Sequence, residues 1–126
     1  MTANSWLNLP LEFNRRLEDR SLVLWRTEPR LTLWISKFNI PSGADPAKQF
    51  SICRERISET SFHIVETIDR FNYRLQEDGE IPAFYGFVFG PKDFLQAGMY
   101  MDDENNLALL TQIFNSIELK LSLIHI

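Results

Sequence analysis

The stretch Ile81-Pro82-Ala83-Phe84-Tyr85-Gly86-Phe87-Val88-Phe89-Gly90-Pro91-Lys92-Asp93-Phe94-Leu95-Gln96-Ala97-Gly98-Met99-Tyr100-Met101 decides the fold. It reads as two strands, 81–89 and 94–101, joined by the turn Gly90-Pro91-Lys92-Asp93. In the first strand Ala83, Tyr85, Phe87 and Phe89 fall on one parity, and Phe84 and Val88 on the other. A strand with one wet face alternates cleanly, whereas one apolar on both parities is covered on both faces. This strand is therefore expected at a sheet centre, and the rest of the chain must supply two covers.

Upstream, Trp6, Leu7, Leu9, Leu11 and Phe13, broken by Pro10, suggest a short edge strand, with the charged stretch 14–20 as a turn. Residues 21–26 and 31–38 read as strands flanking the breaker Thr27-Glu28-Pro29-Arg30, which makes them a hairpin. Asp45-Pro46 supplies a capping carboxylate followed by proline at the first helical position. From there Ala47, Phe50, Cys53 and Ile57 form one stripe of a helix expected to run to Thr60. Residues 62–68 and 71–77 resume the strand pattern, and Asp78-Gly79 predicts a tight hairpin into 81–89. Asp102-Asp103-Glu104 caps a second amphipathic helix over 103–119, with Leu107, Leu110, Phe114 and Ile117 on its apolar stripe.

The fold class is thus α+β: a mainly antiparallel sheet of six to seven strands with two amphipathic helices, in the order βββ-α-ββββ-α. The 126 residues suit a single domain, taken as residues 1–120. The last six, Leu121-Ser122-Leu123-Ile124-His125-Ile126, match the peptide that a transposon-type sequencing adapter encodes in one frame. They are set aside as a suspected non-native tail, a natural apolar tail being the alternative, and His125 is not used as a ligand.

Composition excludes more function than it assigns. Apolar residues at 44% and charged residues at 24% are ordinary for a globular domain. A net charge of −4 with no basic run argues against nucleic acid. The single Cys53 forms no internal disulfide, and residues 1–6 lack a secretory signal, so a cytoplasmic location without a membrane span is expected. His63 has no credible second histidine beside it, and Cys53 lies on an apolar stripe. The acidic clusters Glu77-Asp78/Glu80 and Asp102-Asp103-Glu104 are read as a turn and a helix start, without calcium-loop spacing. No catalytic, metal or cofactor residue is assigned, and a non-enzyme is expected.

The aromatics either fill two thin cores, one under each helix, or leave a groove, since two short helices are few for so wide a sheet. The groove is expected around Trp34, Tyr73, Tyr85, Phe87 and Tyr100, where Tyr and Trp suit a half-exposed recognition surface.

The strand run through Glu18-Asp19-Arg20-Ser21-Leu22 into 31–36, the capped helix, the meander ending in 94–101 and the cadence Ile113-Phe114-Asn115-Ser116-Ile117 together resemble the PsbP-like α/β/α sandwich. That family includes DcrB-like proteins and the Eag-type chaperones of type VI secretion effectors. The resemblance implies a bacterial binding module without a catalytic centre: an adaptor, chaperone or immunity-type protein holding another polypeptide, such as an apolar effector helix. A small-ligand or lipid pocket lined by the same aromatics is the alternative, and homodimerisation would be another way to cover the sheet.

Overall fold

A computed structural model describes residues 7–79 and 81–119. Trp6, Glu80 and the whole stretch 120–126, with His125, lie outside the described residues. The chain forms β1 (Asn14–Glu18), β2 (Ser21–Thr27), β3 (Arg30–Asn39), α1 (Pro46–Glu55), β4 (Phe62–Glu66), β5 (Arg70–Leu75), β6 (Ala83–Phe89), β7 (Asp93–Met101) and α2 (Leu107–Asn115). One sheet holds all seven strands in the order β1-β2-β3-β7-β6-β5-β4, and every pairing is antiparallel. The class and the element order agree with the sequence reading. Two meanders, β1–β3 and β4–β7, meet where the long strands β3 and β7 pair from Leu31↔Met101 to Asn39↔Asp93.

Both parities of β6 are covered, as its composition requires. Phe84 and Val88 join Leu24, Leu33, Leu95 and Met99 beneath α2, whose Leu110, Ile113 and Phe114 are fully buried. Each such side chain contributes roughly 1.5–3 kcal/mol on burial, which makes α2 the main anchor. On the other face Phe71, Tyr73, Phe87 and Phe89 pack beneath Phe50, Cys53 and Ile57. There the rings stack along the sheet, with centroids 4.9 Å apart for Phe71–Phe87 and 5.3 Å for Phe89–Phe94, and Phe50 lies 5.0 Å from Phe89. No residue of α1 itself is fully buried, so α1 is the lighter cover.

The sequence reading needs four corrections. The first strand is Asn14–Glu18, the stretch expected to be a turn, and 7–13 is not a strand. An edge strand has one neighbour only, so charged side chains stay wet on both of its faces and block further pairing. The apolar residues before it cover the sheet instead: Leu7 is buried, Leu9 and Phe13 pack on the α2 core, and the Asn8 N–H donates to Ser116 Oγ at 2.8 Å. Second, α1 is capped by Asp45, whose carboxylate accepts from the Ala47 N–H at 3.0 Å, but it stops at Glu55. Ser58 and Thr60 hydroxyls bond each other at 2.8 Å and the Thr60 N–H donates to Ser58 Oγ, a local alternative to helix. Third, Asp78-Gly79 is not a two-residue hairpin. Gly79 has φ +104, but the last ladder pair is Leu75↔Ala83, because Pro82 has no N–H to extend it. Fourth, α2 is entered through a 3₁₀ turn, Glu104–Asn106, capped by Asp103, and ends at Asn115.

Two arginines explain where α2 sits. Arg74 donates through Nη1 and Nη2 to the Glu104 carboxylate, both at 2.7 Å, and holds the entry to the helix. Arg70 donates to the carbonyls of Phe114 at 3.1 Å and Ile117 at 2.8 Å, placing a cation at the negative end of the helix dipole. Four strand residues span about 13 Å and a nine-residue helix about 13.5 Å, so the two clamps match its two ends.

Candidate binding surface

Among the described residues, α1 roofs only half of its face of the sheet. α1 packs on the cluster formed by β5 and β6, while pairing places Trp25 beside Thr32, Val23 beside Trp34, Trp34 beside Gly98 and Gly98 beside Tyr85 on the same face. Over these residues no helix packs among the described residues, and Trp25, Thr32, Trp34 and Tyr85 remain part-exposed, with Gln96 and Tyr100 exposed. Val23 is nevertheless buried, at 1% exposure.

Gly98 shapes the centre of this surface. A Cβ there would approach Tyr85 Cε1 at 3.1 Å and Tyr100 Oη at 3.2 Å, so glycine lets both rings lean over β7. Tyr85 Oη donates to Glu77 Oε1 at 2.6 Å, and the Tyr100 hydroxyl, 3.1 Å away, can then donate to Tyr85. Tyr85 also stacks on Tyr73 with centroids 5.7 Å apart and meets Tyr100 edge-on at 6.1 Å. Burial, and then the bond to Glu77, pushes the Tyr85 phenol well above its ordinary range. Burial together with the Glu77 charge raises Tyr73 as well. Tyr73 and Tyr85 therefore stay neutral, as amphipathic platforms rather than acids. At the far rim the Arg16 guanidinium lies 5.1 Å over the Trp25 ring and bonds Glu18 at 2.9 Å.

The five residues expected to form a groove all fall on this one face, in two environments. Trp34, Tyr85 and Tyr100 belong to the open half. Tyr73 and Phe87 belong to the core under α1, at 8% and 9% exposure. Trp25, Thr32 and Gln96 extend the surface and were not singled out; Trp25 and Thr32 face each other in the β2–β3 hairpin, and Gln96 sits on β7 opposite Ser36 and Phe87.

The other candidates are dispersed over the fold. Cys53 lies part-buried on α1, with Gln49 Nε2 3.6 Å from its sulfur. His63 is exposed at a bulge in β4, with φ +50, beside the Phe62 ring. Asp103 accepts from the Asn105 N–H at 2.9 Å and Glu104 binds Arg74, while Glu77 binds Tyr85. Among the described residues no three His, Cys, Asp or Glu side chains converge as metal ligands, and no helix is long and apolar enough to cross a membrane.

Comparison with protein-family models, with curated proteins and with solved structures returned no match.

Proposed function

We propose that the chain is a non-enzymatic polypeptide-binding module, an adaptor, chaperone or immunity-type protein that seats a segment of another protein on the open half of its sheet. The observation that carries this is the unroofed surface of Trp25, Trp34, Tyr85 and Tyr100, set on rigid strands and flanked by Thr32 and Gln96. Such a mixture of aromatic area and polar tips is typical of recognition surfaces, and a specific contact buries on the order of 1,000 Å² or more. The resemblance to the PsbP-like sandwich supports the same reading and suggests the partner's chemistry, an apolar helix such as that of a type VI secretion effector met in the cytoplasm.

The test is co-purification from the source cells with wild type and a Trp34→Ala/Tyr85→Ala double variant, with thermal melts run alongside. Both residues are part-exposed, so the variant should keep its fold while partner recovery falls at least tenfold, the loss expected for two central aromatic anchors. Recovery unchanged by the double variant would exclude this face as the binding surface.

A further inference from the structure

On the opposite face of the sheet, β5 presents Arg70, Asn72 and Arg74 towards α2. Between the two arginine clamps, and bounded by β4, lies a cleft of about 280 Å³. Asn72 lines it midway between the clamps, with Phe84 and Leu107 as apolar wall and Thr111 on the helix side. Asn72 is only 8% exposed, yet its carboxamide makes no hydrogen bond among the described residues. Its Oδ1 and Nδ2 are not sealed in, unlike the Arg74 Nε, so within the cleft they are left to water or to a ligand. Arg74 adds a second orphan beside the same cleft, since its Nε is buried without an acceptor.

The charges around the cleft are already spent. Arg70 is bonded by Asp69 at 3.0 and 3.1 Å as well as by the helix carbonyls, and Arg74 is held by both oxygens of Glu104. Thr111 directs its hydroxyl proton to the Leu107 carbonyl at 2.9 Å and keeps only lone pairs free. Asp69 and Glu104 thus neutralise the two arginines of the lining, and the remaining basic side chain of the lining is the exposed His63. What remains unpaired at Asn72 is one acceptor and one N–H₂ donor, side by side, against an apolar wall.

We propose that this cleft binds a small neutral ligand bearing an amide, whose N–H and C=O pair with Asn72 while a ring or short chain packs on Phe84 and Leu107. At about 280 Å³ the cleft lies at the small end of ligand sites, which limits the ligand to a single ring or short chain. The site lies across the sheet from the aromatic surface, so either can fail without the other.

The probe is benzamide, with benzoate as its isosteric anion, titrated into the ¹⁵N-labelled full chain and followed at the Asn72 side-chain N–H₂ signals and, in every variant, at the backbone amides of Phe84 and Leu107. Saturable millimolar binding of benzamide is expected, with the Trp34 indole signal unmoved and no saturation by benzoate. Asn72→Leu removes the pairing group, and Thr111→Leu fills the cleft from the helix while leaving Asn72 intact. Each should weaken benzamide roughly tenfold, the scale of one paired polar contact. Binding that ignores both variants, or no saturable binding at all, would mean that the cleft holds water alone. Tighter binding of benzoate would overturn the neutral class.

Discussion

A methyl group at Gly86 would run into the ring of Phe114, because α2 is seated by that ring lying directly on the β6 backbone. The gap left by a missing side chain is what lets the helix come so close. Replacing Gly86 by alanine forces either the ring or the whole helix outward. Overpacking of this kind costs about 1–3 kcal/mol. Urea unfolding of Gly86→Ala should show that loss, and Phe114→Leu in the same background should be less damaging than Phe114→Leu alone, since the two groups compete for one space. Additive losses in the double variant would show that the contact is not the origin. Gly98 plays the corresponding part on the other face, where Tyr85 and Tyr100 occupy its side-chain space.

At the scale of elements, the two helices are held differently. α1 is a lid of partly buried residues, whereas α2 combines buried apolar side chains with two arginine clamps. The Glu104 carboxyl is held below its ordinary value of 4.5, chiefly by hydrogen bonds from Arg74, against some desolvation, with the Arg74 charge and His63 helping. Its folded value lies below its unfolded one, so this contribution is complete above about pH 4.5 and is lost as the pH falls through the folded value. Arg74 is 4% exposed in its side chain but Glu104 is 52% exposed, so solvent screening limits the contribution to about 1 kcal/mol. Glu104→Gln should therefore be about 1 kcal/mol less stable at pH 7, and the gap from wild type should close between pH 5 and 3. A gap that persisted at pH 3 would show that Glu104 acts by packing rather than charge.

The whole sheet ends in two unlike edges. β1 is guarded by Arg15, Arg16 and Glu18, all exposed. The β4 edge carries Ile64 and Val65 half-exposed and leads to Ile68 at 99% exposure, with the His63 bulge as its guard. Exposed apolar edges recruit other chains when the fold loosens. Val65→Lys/Ile68→Lys should thus reduce light scattering on heating, with the melting temperature within a degree or two of wild type. Unchanged scattering would place the aggregation-prone segment elsewhere.

What the chain says locally, it says clearly. The two-sided strand at 83–89, the Asp45-Pro46 cap, the Asp103 cap and the turn at Glu28-Pro29 each depend on neighbours a few residues away. Periodicity also identified the stripes of both helices; Trp34, Tyr73, Tyr85, Phe87 and Tyr100 were singled out by residue type, which could not separate the part-exposed Trp34, Tyr85 and Tyr100 from Tyr73 and Phe87 beneath α1. The boundaries were less legible: Asn14–Glu18 pairs despite its charges because an edge needs backbone and one neighbour, not apolar side chains. Asn72 and Arg74 alternate with Phe71 and Tyr73 as solvent-facing residues would, yet they are buried, because α2 returns over them from more than thirty residues away in sequence. Sequence by itself therefore determined the element order, the α+β class and the two-faced strand, all set by short-range sterics and apolar spacing. Only the tertiary structure decided which half of the sheet stays open and which polar parity is enclosed, because both depend on where two distant helices come to rest.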